Sequence, residues 1–319
     1  MTTAAQGNSA PRTHKTSTYR IGLLGIDTGH VVATAQLLMN PDDKYFVEGA
    51  TVGCAFDDTD ENFFNFHRVE VYRKTLTEEY GIPLAASAEE LAEKSDAVFL
   101  SSIDARQRLR QFRAIAEAGK PVIVEKPFAL SVRDAEAIFE LADRYRTPVF
   151  CSSSLRYAET FNKALRKQKD GAILGIDCLG PLDLQPQLPG LFWYGVHLTE
   201  LLFTALGAGC RTVWAVQGEG REHYVGHWED GRIGTFHGDI RQTEHHKRYF
   251  AMLHREQGEK PELVDVRSAE KPDFACLLEQ AIGMLRTGIS PVSQKETLEI
   301  VRFMEAANRS RVSGLPEKL

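Results

Sequence analysis

His197 and Glu200 stand one helical turn apart in the stretch Phe192-Trp-Tyr-Gly-Val-His-Leu-Thr-Glu200. At i and i+3 the two share a helix face. A carboxylate there can orient the imidazole so that it exchanges protons near neutral pH. General acid–base work of this kind is worth roughly 10²–10⁴-fold in rate. The same spacing also suits a satisfied core histidine, or a metal pair, although no further ligands for a metal can be picked out. A second candidate is Val124-Glu125-Lys126-Pro127. Proline ends a strand there, and a lysine at that point can polarise a substrate hydroxyl. A solvated lysine before proline is the plainer alternative. The third is Gly22-Leu-Leu-Gly25-Ile-Asp27-Thr28-Gly29-His30, where a nucleotide-binding fold cradles a pyrophosphate on a helix N-terminus. Counted from Gly25, the second glycine position holds Asp27 and the third holds His30. Two unit charges 4 Å apart at an effective dielectric near 20 repel by about 4 kcal/mol, so an ionised Asp27 facing a pyrophosphate is costly. Three uses of this loop stay open: Asp27 or Thr28 capping the helix, a displaced phosphate site on Thr28 and Gly29, or Asp27 and His30 as ligand groups. Asp57, 32 residues beyond Gly25, is a carboxylate for a ribose hydroxyl. It comes later than the usual offset of about 20, and a solvated acidic loop of Asp57, Asp58, Asp60 and Glu61 reads equally well.

The segments that must hold these residues alternate between apolar strands and amphipathic helices. Residues 21–25, 50–56, 97–100, 122–124 and 148–151 read as strands, and 31–39, 76–80, 88–94, 106–118 and 131–145 as helices or helix ends. Asn40-Pro41 stops the first helix and Ser131 caps the last. This order predicts a parallel sheet covered on both faces. After residue 151 the pattern changes. Helices are expected over 158–168, 196–206, 274–286 and 294–310, with strands at 212–216, 223–228 and 232–237, and Glu229-Asp-Gly231 marks a hairpin. The fold class read from this is α/β: an N-terminal Rossmann-like doubly wound parallel sheet, then a C-terminal α+β domain with a largely antiparallel open sheet. The divisions are a flexible tail over 1–18, a first domain over 19–150 and a second over 151–319.

Composition narrows the function class. The 319 residues are 43% hydrophobic and 26% charged, enough for a sizeable core. Thirty-eight basic against 44 acidic residues leave a net charge of −6, which argues against a broad nucleic-acid footprint. The five cysteines contain no Cys-x-x-Cys, and the closest pair lies 27 residues apart. That predicts reduced thiols in a cytoplasmic protein. The first 18 residues are polar, carry no acid and lack the apolar core of a secretory signal. The most apolar window, 190–209, contains His197 and Glu200; an ionisable pair mid-span is costly, so a buried helix is expected and no membrane partner. The remaining histidines, His245-His246 among them, read as loop or surface residues.

Glu125-Lys126-Pro127 after a strand, followed about 70 residues later by Gly-Val-His-x-x-acid, resembles the glucose–fructose oxidoreductase / inositol dehydrogenase (Gfo/Idh/MocA) family. The resemblance covers residues 18–314 and includes the late helix beginning after Pro291-Val-Ser. It implies a dinucleotide-binding domain followed by a domain whose open sheet often forms an oligomer face, so a homo-oligomer, dimer or tetramer, is expected. It implies NAD or NADP as cofactor, no metal, and hydride transfer to or from a sugar, polyol or related alcohol. By position, Lys126 matches the family's lysine and His197 its catalytic histidine, while Glu200 stands where the family usually has Asp. On this resemblance His197 takes the hydroxyl proton, Lys126 holds the developing alkoxide and the nicotinamide ribose, and Glu200 orients His197. Gly25, Asp27, Thr28, Gly29, His30, Asp57, Ser101, Ser102, Glu125 and Lys126 are the expected cofactor-binding residues. Arg156, Trp193 and Tyr194 are the expected substrate-binding residues. The sequence departs from the family in three places: the glycine fingerprint, Trp193 in place of a frequent Asp, and Ser102-Ile103 in place of Thr-Pro. These departures give weight to two rival readings on the same scaffold, a lyase, epimerase or hydrolase on a sugar or keto-sugar, and an inactive sugar-binding protein.

Overall fold

The fold was analysed in a computed structural model that describes residues 18–241 and 248–319. The tail expected over 1–18 lies, but for Thr18, outside the described residues, as do His245 and His246. The first sheet comprises β1 (Tyr19–Leu24), β2 (Ala50–Phe56), β3 (Ala97–Leu100), β4 (Val122–Val124) and β5 (Val149–Cys151). Its strands lie in the order β2-β1-β3-β4-β5 and all its pairings are parallel. Helix α1 (Gly29–Met39) follows β1. Helices α2 (Val69–Lys74) and α3 (Ala88–Lys94) lie between β2 and β3, α4 (Arg108–Ala116) follows β3 and α5 (Val132–Tyr145) follows β4. β3, β4 and β5 are short apolar runs buried at every position, as is β1 from Ile21 onward, as parallel strands under helices must be.

The register is what gathers the site. Phe56, Leu24, Leu100, Val124 and Cys151 pair across the sheet in a single row. The residues that follow them, from Gly25, Asp57, Ser101, Glu125 and Ser152 onward, therefore leave the sheet at one edge. The order reverses between β1 and β3, the switch point where such sheets open a crevice.

The rest of the chain supplies α6 (Glu159–Leu165), β6 (Ile173–Pro181), α7 (Gly195–Leu206), β7 (Cys210–Gly218), β8 (Arg221–Trp228), β9 (Ile233–Asp239), β10 (Phe250–Arg255), β11 (Glu262–Asp265), α8 (Asp273–Thr287), α9 (Gln294–Ser313) and β12 (Glu317–Lys318). The second sheet runs β11-β10-β6-β9-β8-β7-β12, and its pairings are antiparallel except β6 with β9. Helix α7 is apolar nearly all round, and Leu198, Leu201 and Leu202 have no exposure; such a helix belongs in a core. With α9 it covers one face of the second sheet. The other face leaves Leu179, Trp214, Val216 and Ile233 nearly half exposed. Helix α8 returns to the first sheet, where Ala275, Leu278 and Ile282 join Ile21, Leu23 and Phe99 in one core. No helix among the described residues is long and apolar enough to cross a membrane.

Candidate active site

At the end of β1, Gly25 has φ +89°, and a Cβ there would come 2.5 Å from that of Ser102. This is the tight turn a first fingerprint glycine makes. Thr28, in extended conformation, caps α1 by accepting from the His30 N–H at 3.3 Å. The cap is thus Thr28 and not Asp27. Asp27 has no exposure and turns inward: Ile103 N–H donates to Oδ1 at 3.0 Å and the Ser102 hydroxyl to Oδ2 at 3.3 Å. Burial raises its carboxyl to about 6, against the pull of the Ile103 N–H and of Arg108. The repulsion expected of an Asp27 facing a phosphate is relieved because the carboxylate faces the end of β3.

Glu125 is buried, with Oε2 2.9 Å from His30 Nδ1. Burial works against its charge, yet His30, Lys126 and Arg108 together hold the carboxyl below its usual range. The His30 ring stacks on Phe274 with centroids 4.6 Å apart. The Lys126 ammonium lies 4.8 Å from the Trp193 ring centroid, a cation–π contact. Tyr194 and Tyr249 each set a ring edgewise against His197. Thr28, Gly29, Glu125, Lys126, Trp193, Tyr194 and His197 wall a single cavity of about 440 Å³. A roomier groove of about 700 Å³ between α6 and α8 contains none of the expected site residues.

Glu200 is placed differently from the expectation. His197 Nδ1 lies 2.7 Å from the Ser153 hydroxyl. The Glu200 carboxylate accepts from Ser153 N–H at 3.2 Å and from Arg156 Nε at 2.8 Å, with Arg156 Nη2 in ion-pair contact at 2.7 Å. Glu200 is thus bonded to Ser153, whose hydroxyl meets the histidine. Burial pushes its carboxyl up while Arg156 pulls it back. Arg156, expected to touch substrate, is buried between Glu200 and Glu296 and does not wall the cavity. Nor do Gly25, Asp27, Asp57, Ser101 or Ser102. Asp57 accepts from Arg73, and the Ser101 hydroxyl donates to Gly25 O.

Three groups were missed in the sequence. Ser153 carried a legible signal, as one of three serines directly after a strand at the sheet's carboxyl edge. Arg108 has 1% exposure and donates to Ser102 O at 2.8 Å and Glu125 O at 3.0 Å, tying the ends of β3 and β4 together. A cation within the helix expected over 106–118 carries no local sign of burial. Arg267 and Asp273, bonded to each other at the far wall, gave no sequence signal.

The fit of a nicotinamide nucleotide is tested by what the cavity leaves unsatisfied. Glu125 Oε1 is buried with no hydrogen-bond partner among the described residues, and Glu125 lines the cavity, so the residue offers an acceptor suited to a ribose hydroxyl. A Cβ on Gly29 would meet only the Tyr72 side chain, no nearer than 3.5 Å. The Gly29 backbone at the N-terminus of α1 is thus uncrowded by other backbone, while the His30 N–H is taken by the Thr28 cap. These residues fit the nicotinamide end of the cofactor.

Residues 49–152 match the GFO_IDH_MocA family, described as an oxidoreductase family with an NAD-binding Rossmann fold. Solved structures share the fold over nearly the whole chain. A scyllo-inositol dehydrogenase from Lactobacillus casei with bound NAD(H) and scyllo-inositol superposes with a TM-score of 0.78 at 13% identity, covering 95% of this chain and 99% of that one. A probable dehydrogenase from Thermotoga maritima gives 0.77 at 18% identity over 94% and 98%. GenD2 from gentamicin A biosynthesis, in complex with NAD, gives 0.76 at 15% identity over 98% and 99%. The stretch that matches this family holds β2 to β5 and Glu125-Lys126-Pro127.

Proposed function

We propose that the chain is an NAD(P)-dependent oxidoreductase moving a hydride between a nicotinamide cofactor and a sugar, a polyol or a related alcohol. The observation that carries this is the single cavity walled by Thr28 and Gly29 together with Lys126 and His197. The bound nicotinamide would supply the hydride acceptor or donor. The chain's own residues do the rest. Thr28 and Gly29 offer the α1 N-terminus to phosphate, and Glu125 Oε1 accepts a hydroxyl. Lys126, steadied over Trp193, and His197 meet the reacting oxygen, and the pair handles the charge and proton it gains or loses. The Trp193 and Tyr194 rings offer flat apolar faces to the C–H side of a sugar. The L. casei dehydrogenase, crystallised with an inositol, supports that substrate class. The five buried thiols suit a reducing compartment such as the cytoplasm. The open apolar face of the second sheet suits pairing with a second copy of the chain.

A non-redox activity on a keto-sugar is the second reading. It is favoured by the chain after β2, where Asn65 donates to Asp27 O and Phe63 packs on Ile103 beside the crevice. Titration with NADH and NADPH, then turnover on inositols, sugars and their keto forms, separates the two. Under the first reading either cofactor binds at micromolar levels and His197→Ala lowers turnover by about 10²–10⁴-fold. Failure to bind either at millimolar concentration, or full turnover by the variant, refutes it.

A further inference from the structure

The Ser153 hydroxyl lies within hydrogen-bond distance of His197 Nδ1. Ser153 has no exposure, and its Oγ makes two hydrogen bonds among the described residues. It accepts from Leu155 N–H at 3.2 Å and lies 2.7 Å from His197 Nδ1. A hydroxyl has one proton to give and two lone pairs to fill. Leu155 N–H fills one. The hydroxyl's own proton then needs an acceptor, and Nδ1 is the acceptor in reach. Were Nδ1 itself protonated, Oγ would accept twice, and a buried O–H would be left with nothing to bond, which is unfavourable.

We propose that Ser153 is a positioning residue that holds neutral His197 with its proton on Nε2, so that the cavity meets a proton-bearing nitrogen. Ser153 is itself fixed from behind. Its N–H donates to Glu200 Oε1, and Glu200 is clamped by Arg156. The catalytic meaning of this rests on the reading of His197 as a group that meets the reacting oxygen. A neutral ring protonated on Nε2 gives a hydrogen bond to that oxygen, as neutral histidines do where they polarise carbonyls. The ligand class it favours is the ketone or aldehyde form of a polyhydroxy compound over the matching alcohol.

The test is nitrogen NMR on protein labelled with ¹⁵N-histidine, recorded at alkaline pH where the rings are neutral. The chain has ten histidines, so the His197 signals are assigned by their loss in His197→Gln. The expected wild-type pattern is a bare Nδ1 and a protonated Nε2. Ser153→Thr, which keeps a hydroxyl, retains it. Ser153→Ala loses a bias of about 5- to 150-fold in the tautomer ratio, seen as averaging of the two nitrogen shifts. A wild-type ring protonated on Nδ1 overturns the proposal, and so does a Ser153→Ala spectrum identical to wild type. Neither cofactor nor turnover enters this measurement, so the tautomer assignment and the oxidoreductase reading can fail separately.

Discussion

Replacing Asp27 by Asn isolates the cost of a buried carboxylate at the second glycine position. Burial raises the folded-state value from 3.8 to about 6. The folded chain thus holds this proton more tightly than the unfolded chain does. The stabilisation is complete below 3.8 and is lost as pH rises through about 6. At 1.36 kcal/mol per pH unit the loss totals about 3 kcal/mol, an order-of-magnitude figure. Asn keeps an oxygen for the Ile103 N–H, and its amide can donate to the Ser102 hydroxyl, which then accepts. The variant carries no proton to lose. The assay is urea unfolding of both proteins at intervals from pH 3.5 to 8, with stability differences compared so that all other titrating groups cancel. The expected result is a variant that gains about 3 kcal/mol on wild type between pH 4 and 7, with a flat difference above. A span under about 1 kcal/mol, or wild type gaining as pH rises, would refute the reasoning. The second outcome would mean that the Ile103 N–H and Arg108 outweigh burial and hold Asp27 ionised.

Two further changes test the scaffold. Arg108→Met leaves Ser102 O and Glu125 O without their donor; at about 1–3 kcal/mol for each unsatisfied buried group, unfolding free energy should fall by about 3 kcal/mol or more. Sedimentation or light scattering should find an oligomer that Trp214→Glu, placed on the open sheet face, converts to monomer with the thermal transition retained.

The first sheet was legible because its signals are local. Short apolar runs, a glycine or proline at each end and amphipathic stretches between them require no knowledge of distant contacts, and β2 and β3 fall where they were expected. The second sheet was half legible. β7, β8 and β9 were foreseen, with Gly231 in the left-handed region at their hairpin. β6, β10 and β11 were not. β6 buries Ile176 and Cys178 but breaks its alternation with Gly175 and Gly180, which lie close under Ile233 and Tyr249. Those neighbours arrive from elsewhere in the chain. The position of α8 on the first sheet was hidden for the same reason, since periodicity reports which face is apolar and not what covers it.

Glu200 shows how the site's logic differs from its spacing. At i and i+3 it does share a face with His197, but a buried carboxylate needs a compensating charge before it can orient a neighbour. Arg156 supplies that charge from the turn after β5. The acid is therefore spent on Arg156 and on the Ser153 N–H, and the serine hydroxyl becomes the group in contact with the imidazole. The same principle governs the other end of the cavity. Asp27 is bonded by groups after β3 and Glu125 Oε2 by His30, while Arg108 ties β3 to β4. Both carboxylates are thus held from another element, with Glu125 Oε1 left without a hydrogen-bond partner among the described residues. Lys126 and His197 wall the same cavity, and the row Leu24, Leu100, Val124 and Cys151 brings the chain leading to Lys126 and to Ser153 to one level. A one-residue slip of β4 or β5 in that row would move Lys126 or Ser153 by about 3.3 Å and turn the side chain to the other face of the sheet.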